Sequence, residues 1–303
     1  MARVITNIRV HPWWYAMVLP GVAFFIVFRY LPLGGIALAF KNYRVLEGIW
    51  GSPWVGFKHF ETLFNSYYFA NILLNTVLIS FLKSAFGILT SLILALLLNE
   101  VRVTWFKRLI QTVTYLPHFL SWVVISGILL SLLSPAGGLI NAFVVNQLHL
   151  QPVAFLTSPE WFRFVLVASE LWKNMGWNAV IFLAALTGIS PTLYEAAAVD
   201  GASRLQRVWN ITLPGILPVI GLVALLNIGN IMNAGFEQVF VLYNPAVYDV
   251  SDIIDTWVYR QGLQNFQLEL ATAVGLFKGV IGFILILTTN WIAKKTTGSG
   301  IIW

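Results

Sequence analysis

Apolar residues in this chain neither alternate nor recur in narrow stripes. They come in long unbroken runs, separated by shorter stretches that hold most of the charge. A hydrocarbon core of about 30 Å takes roughly 20 residues of apolar helix, and by that ruler the chain contains six spans. The first lies within residues 13–40, interrupted by Pro20, Arg29 and Pro32. The others cover about 72–98, 109–133, 164–189, 215–234 and 271–293. Residues 109–159 contain no Asp, Glu, Lys or Arg, so a further span fits there by length. Ser134-Pro135 and Gly137-Gly138 break the run, however, and residues 141–152 are too polar, which leaves one span and an amphipathic return. The fold class is therefore all-α, a polytopic membrane protein with six transmembrane helices in a single domain (1–303). There is no linker, low-complexity tract or tandem repeat.

Composition agrees. The 303 residues are 58% hydrophobic and 10% charged, with a mean hydropathy of +0.80, which excludes a soluble globular domain. Thirteen Trp and ten Tyr supply interfacial belts. Cysteine is absent, and with it any disulfide or thiolate chemistry. The first apolar run is too long for a signal peptide and lacks a small-residue cleavage site, so it remains as a span.

A net charge of +6 can suggest a nucleic-acid partner, but its distribution points to membrane orientation and to no nucleic acid. With both termini cytoplasmic, the inner side holds Arg3, Arg9, Arg102, Lys107, Arg108, Arg204, Arg207, Lys294 and Lys295 against Glu100, Glu195 and Asp200. The outer side holds Lys41, Arg44, Lys58, Arg163 and Arg260 against eight acids: Glu47, Glu61, Glu160, Glu237, Asp249, Asp252, Asp255 and Glu269. Basic loops stay inside, which fixes this orientation. The outer loops 41–71, 134–163 and 235–270 are long, but rich in Trp, Pro and turn formers, and read as folded.

One inner loop is unlike the rest. Residues 195–218, EAAAVDGASRLQRVWNITLPGILP, carry Glu195, Asp200, Arg204 and Arg207 between two apolar runs. Ala196 to Ala198 favour helix, Gly201 breaks it, and Ser203 caps a second short helix that ends at Pro214. A polar helical hairpin between spans is a surface for another protein to grip.

The order Glu195-Ala196-Ala197, Asp200-Gly201-Ala202, then Ile211, Leu213 and Pro214 resembles the EAA loop of the membrane subunits of bacterial ATP-binding-cassette importers. The likeness covers nearly the whole chain. Val55-Gly56-Phe57, Asn75-Thr76, Leu116-Pro117 and Gly138-Leu139-Ile140-Asn141 are similar to the sugar-transporting, maltose-type branch. Residues 235–263 and 271–278 resemble its polysaccharide and complex-oligosaccharide sub-branch, which includes the alginate importer's membrane subunit. Val208-Trp209 departs mildly from a common aromatic pair.

The resemblance implies a type I importer permease fold in the bacterial cytoplasmic (inner) membrane. It implies a heterodimer with a second homologous permease subunit, a dimer of ATPase subunits that bind ATP and Mg, and an extracytoplasmic solute-binding protein. Glu195, Ala196, Ala197, Asp200, Gly201, Ala202, Arg204, Leu213 and Pro214 would form the ATPase-coupling surface. Glu195 would pair with a base of the ATPase, and loop 235–270 would meet the binding protein or the sugar. This chain has no Walker-type sequence and no G-x-S-x-G elbow, and His11, His59, His118 and His149 lack metal-ligand spacing. It reads as a non-enzyme without cofactor or metal of its own.

Charges within spans mark function by default. Arg29 snorkels to the interface. Glu170 and Lys173, three apart on one helical face, either neutralise each other or line the path with Asn174. Lys83 and Lys278 have no evident partner. Asn227, Asn230 and Asn233 form a polar stripe on the fifth span, read either as helix glue or as a lining for sugar hydroxyls. Trp172, Trp177, Phe236 and Trp257 are packing residues or sugar-stacking faces. Excess cationic charge points to an anionic, alginate-type uronate oligosaccharide, with a neutral complex oligosaccharide as the alternative. A secondary transporter would need mid-membrane carboxylates for its coupling ion, and only Glu170 is available.

Overall fold

The computed structural model describes residues 12–297, and Arg3, Arg9 and His11 lie outside them. Among the described residues there are helices and turns but no strand, with one antiparallel bridge between Lys41 and Trp54. They divide into two compact units. One comprises residues up to 66 with 258–277, the other 67–257 with 278 onward.

In the first unit the opening span changes its winding twice, from α-helix (Pro12–Phe25) through a π turn (Ile26–Tyr30) to a 3-10 segment (Leu31–Phe40). Pro32 enters where the tighter winding begins; it lacks an N–H and crowds the preceding carbonyls. A hairpin of residues 41–54 follows directly. It is closed by Asn42 N–H to Pro53 O (3.0 Å) and Val55 N–H to Phe40 O (2.8 Å).

The second unit holds the bundle. Among the described residues, four helices are long and apolar enough to cross a membrane alone: Pro12–Phe40, Tyr67–Glu100, Arg204–Gly229 and Leu268–Lys295. Two bent pairs bring the number to six: Thr104–Phe119 with Trp122–Leu133, and Pro159–Thr187 with Pro191–Val199. The third span thus differs from the straight helix expected over 109–133, because its two halves meet at 104°. Pro117 and the extended residues Leu120 and Ser121 explain the break, and Ser121 caps the second half by accepting from Val124 N–H.

Helix association in lipid depends on close packing rather than on hydrophobic drive. The second span accordingly packs on the fourth at a small residue, Gly87, where an added Cβ would lie 3.9 Å from Leu171 Cδ2. At Gly176 of the fourth span, an added Cβ would lie 2.2 Å from Thr114 O, so only glycine allows the third span this near.

Two of the bundle's buried apolar clusters flank its middle. One joins Ile79, Phe162 and Leu166 to Val239, Val247 and Ile253, and the other joins Ala95, Phe182 and Leu186 to Ile216. The segment 244–257 is not a floppy outer loop. Asn75, fully buried, donates to Asp249 O and Asp252 O, Arg163 donates to Asn75 Oδ1 and Val250 O, and Asp252 accepts from Tyr68 and Thr256. Asn141 ties Leu133, at the end of the third span, to Val153 in the same manner.

A polar cavity and an exposed helical hairpin as candidate functional sites

Between the two apolar clusters lies a cavity of about 480 Å³. The second span contributes Ser80, Lys83, Ser84, Gly87 and Ser91, and the fourth Glu170, Asn174, Trp177 and Asn178. Asn227 and the segment after the fifth span, with Asn230, Asn233, Ala234 and Gly235, complete the lining. Of the path residues expected from the sequence, Lys83, Glu170, Asn174, Asn227, Asn230 and Asn233 meet here. Lys173 and Lys278 do not.

Each exception has a physical reason. Lys173 does not pair with Glu170. Its ammonium turns to the break in the third span and donates to His118 O (2.7 Å), Leu120 O (2.5 Å) and Pro117 O (3.4 Å), 5.6 Å from the Trp122 ring centre. A broken helix leaves carbonyls that lipid cannot satisfy, and this buried lysine satisfies them. Glu170 accepts instead from Asn174 Nδ2 (2.6 Å), whose Oδ1 accepts from His118 Nδ1 (2.8 Å). Lys278, which looked unpartnered, forms an ion pair with Asp255 at 2.5 Å.

The three asparagines are not a helical stripe either. The fifth span's helix ends at Gly229, Asn230 is its cap, and Asn233 closes a turn on Asn230 O (2.8 Å) in the irregular stretch before Gly235, whose φ of +89° requires glycine. They converge on the cavity because the chain unwinds there. Lys83 stabilises the unwound segment by donating to Ala234 O at 2.6 Å. Asn227 and Asn230 each donate to the carbonyl four residues earlier, which leaves their Oδ1 atoms as acceptors, and Asn178 and Asn233 make no side-chain hydrogen bond among the described residues. Ser80 and Ser91 Oγ are buried and unpaired.

Sequence reasoning missed the serines and Asn178. Their signal was the spacing 80, 84, 87, 91, one helical face of small and polar residues, together with Asn174 and Asn178 one turn apart. Of the aromatic candidates only Trp177 reaches the cavity. The His118 ring stacks on it at 4.6 Å, and the planes lie within 1° of parallel.

The hairpin forms as its residues dictate. Pro191–Val199 turns 72° away from the fourth span. It ends in a paired motif, Ala202 N–H to Ala197 O and Gly201 N–H to Ala198 O, that needs the positive φ of Gly201 (+76°). Ser203 then caps the next helix reciprocally with Gln206. That helix does not end at Pro214. It passes through a π turn at Val208–Thr212 and runs on to Gly229, with the change of winding falling directly before Pro214, which lacks the N–H of an ordinary interior residue.

Glu195, Ala196, Asp200, Gly201, Arg204 and Pro214 are exposed, and Ala197, Ala202 and Leu213 half-buried. Exposed beside them are Val199, Leu205 and Trp209, apolar residues that a search for charge overlooks. Tyr194 OH and Thr212 Oγ1, 3.0 Å apart, join the two arms.

Comparison with known proteins adds the following. Residues 87–298 match the family described as binding-protein-dependent transport system inner membrane component. The chain is 42% identical to the polygalacturonan/rhamnogalacturonan transport system permease protein YteP of Bacillus subtilis, over 99% of this chain and 93% of that one. It is 31% identical to the sn-glycerol-3-phosphate transport system permease protein UgpA of Pectobacterium atrosepticum, over 90% and 91%. Among solved structures, it matches a chain of a bacterial ABC transporter involved in the import of the acidic polysaccharide alginate. The TM-score is 0.89 at 39% identity, covering 97% of this chain and 99% of that one. It also matches a bacterial alginate ABC transporter in complex with an alginate pentasaccharide-bound periplasmic protein, with a TM-score of 0.89 at 38% identity, over 99% and 100%.

Proposed function

The chain belongs to the family of binding-protein-dependent transport system inner membrane components, and from that premise we propose that it forms half of the translocation path of an ATP-driven oligosaccharide importer. A second, related permease subunit supplies the other half, a pair of ATPase subunits binds ATP and Mg, and an extracytoplasmic binding protein delivers the sugar. Both termini and the hairpin face the cytoplasm on this reading, which the charge asymmetry of the loops supports.

The observation that carries the proposal is the cavity. Asn174, Asn178, Asn227, Asn230 and Asn233 surround it, and an amide both donates and accepts, as sugar hydroxyls require. Coupling falls to the hairpin. Exposed Glu195 and Arg204 flank apolar Val199 and Leu205, a surface suited to a cleft in the ATPase. ATP binding closes the ATPase dimer, the hairpin transmits that motion to the fourth and fifth spans it joins, and the inward-facing and outward-facing states exchange. Exposed Leu263 and Phe266, within 235–270, offer a contact for the binding protein.

The substrate we propose is a uronate oligosaccharide. Support comes from the relatives, which handle polygalacturonan and alginate, and from Lys83, the one cation among the described residues lining the cavity. A second reading, a neutral oligosaccharide, is favoured by the charge balance there, because Glu170 offsets Lys83 and neither Lys173 nor Lys278 takes part.

ATPase activity of the assembled complex in liposomes separates the two. Binding protein would be supplied with uronate oligosaccharides or with neutral ones of equal length. Stimulation by uronates alone, reduced tenfold or more in Lys83→Gln, is expected. Stimulation by neutral sugars alone selects the second reading, and a complex that no oligosaccharide stimulates overturns both.

A further inference from the structure

The hairpin of residues 41–54 has a rigid stem and an apolar tip. Lys41, 2% exposed, donates to Ile49 O and Trp50 O, both at 2.9 Å, and its ammonium lies 4.8 Å from the Trp54 ring centre and 5.9 Å from that of Trp50. Ser52 accepts from Arg44 N–H and donates to Gly48 O. With its polar groups satisfied inward, the hairpin turns Val45, Leu46, Trp50 and Trp54 outward, and Leu46 is 100% exposed.

Depth decides what meets this face. The hairpin begins at the residue after the first span ends, and it folds back along that span. The Trp50 ring lies 3.7 Å from where a Cβ of Gly34 would stand. Gly34 is six residues before Phe40 in the 3-10 segment, about 12 Å back along the axis at about 2.0 Å per residue. The span itself has 29 residues, about 48 Å of mixed winding, against a bilayer of about 40–45 Å with its headgroups. Trp50 therefore stands level with the boundary between headgroups and acyl chains, where Trp concentrates.

We propose that residues 41–54 are an interfacial wedge, a folded hairpin whose tip Val45-Leu46 and rings Trp50 and Trp54 rest in the lipid headgroup–acyl boundary beside the first span. Its partner is a phospholipid leaflet, the outer one in the orientation above. Arg44 pairs with Glu47 at 2.9 Å, so the hairpin carries its own countercharge and zwitterionic lipid suffices. The wedge fixes the depth and tilt of the span it follows.

The absence of cysteine makes the test direct. A nitroxide is placed on Leu46→Cys, and another on Asn65→Cys as an exposed reference beyond the Lys58–Phe64 helix. The full-length chain, with its partner subunits, is reconstituted in phosphatidylcholine liposomes, and relaxation by oxygen and by a water-soluble nickel chelate is compared. Oxygen is expected to dominate at 46 and the chelate at 65, unchanged when phosphatidylglycerol is added. A label at 46 that the chelate relaxes as strongly as the one at 65 overturns the proposal. So does a label shielded from both relaxants, because a protein surface would then cover the tip. The readout does not depend on transport.

Discussion

The exposed hairpin after the fourth span and the polar cavity between the spans satisfy their polar groups in opposite ways. In the hairpin the bonds that set the turn and the cap are short in sequence: Ala202 to Ala197, Gly201 to Ala198, Ser203 with Gln206, and the longest, Tyr194 to Thr212, still joins the hairpin's own two arms. At and beside the cavity, local asparagine bonds are joined by others that link distant elements, as Lys83 to Ala234, His118 to Asn174 and Lys173 to the break in the third span. A locally determined hairpin keeps its shape while it moves as a body, which suits a part that transmits force. A cavity assembled from three spans changes shape whenever one of them shifts, which suits a part that must open to alternate sides.

The sharpest way to break the non-local side is Lys173→Met. Three carbonyls then lose their donor where no water replaces it, at a cost of about 3 kcal/mol or more. We expect a marked fall in the thermal midpoint of the purified complex, with partial recovery in Lys173→Arg. A Lys173→Met complex that melts like the unaltered one would show that the break needs no clamp.

Gly201→Pro attacks the local side. Proline fixes φ near −65° where +76° is needed and removes the donor to Ala198 O, a local cost of about 3 kcal/mol. The spans should melt normally while sugar-stimulated ATPase activity is lost. Intact stimulation would refute the coupling role of the hairpin. A smaller effect is expected of Gly176→Ala, whose methyl meets Thr114 O. Overpacking of that kind costs about 1–3 kcal/mol, so the melting temperature should fall while any residual transport keeps its substrate preference.

This contrast also explains what could be read from the chain. Gly201, Ser203 and the Ala196–Ala198 run announce the hairpin in consecutive letters, and the structure places the turn, cap and helix there. Only the end at Pro214 misled, because a proline inside a helical pattern reads as a terminator, whereas here a π turn directly precedes it and the helix continues. The cavity was legible in residue type but not in arrangement. Glu170 and Lys173 are one helical turn apart, so pairing was the natural reading, yet a break 53 residues earlier in the chain claims the lysine. Lys278 looked solitary because its partner Asp255 is 23 residues away, in a stretch read as an outer loop. The asparagine stripe presumed a helix that stops at Gly229, and the only local sign of that stop is the pair Gly229-Asn230, of residue types common at helix ends.

The smallest expected effect refines the comparison further. Ser203→Ala removes one half of the reciprocal cap, the acceptance from Gln206 N–H at 3.3 Å, while Gln206 Oε1 can still accept from the residue 203 N–H at 2.7 Å. Loss of a helix cap costs about 1 kcal/mol, and here that cost falls on a turn whose other bonds survive. If the hairpin is locally determined, amide exchange should quicken in residues 203–207 and stay unchanged at Ala234, where the Lys83 bond reports on the cavity. Faster exchange at both places would mean that the hairpin and the cavity share one cooperative unit, and the division between local and assembled regions would have to be abandoned.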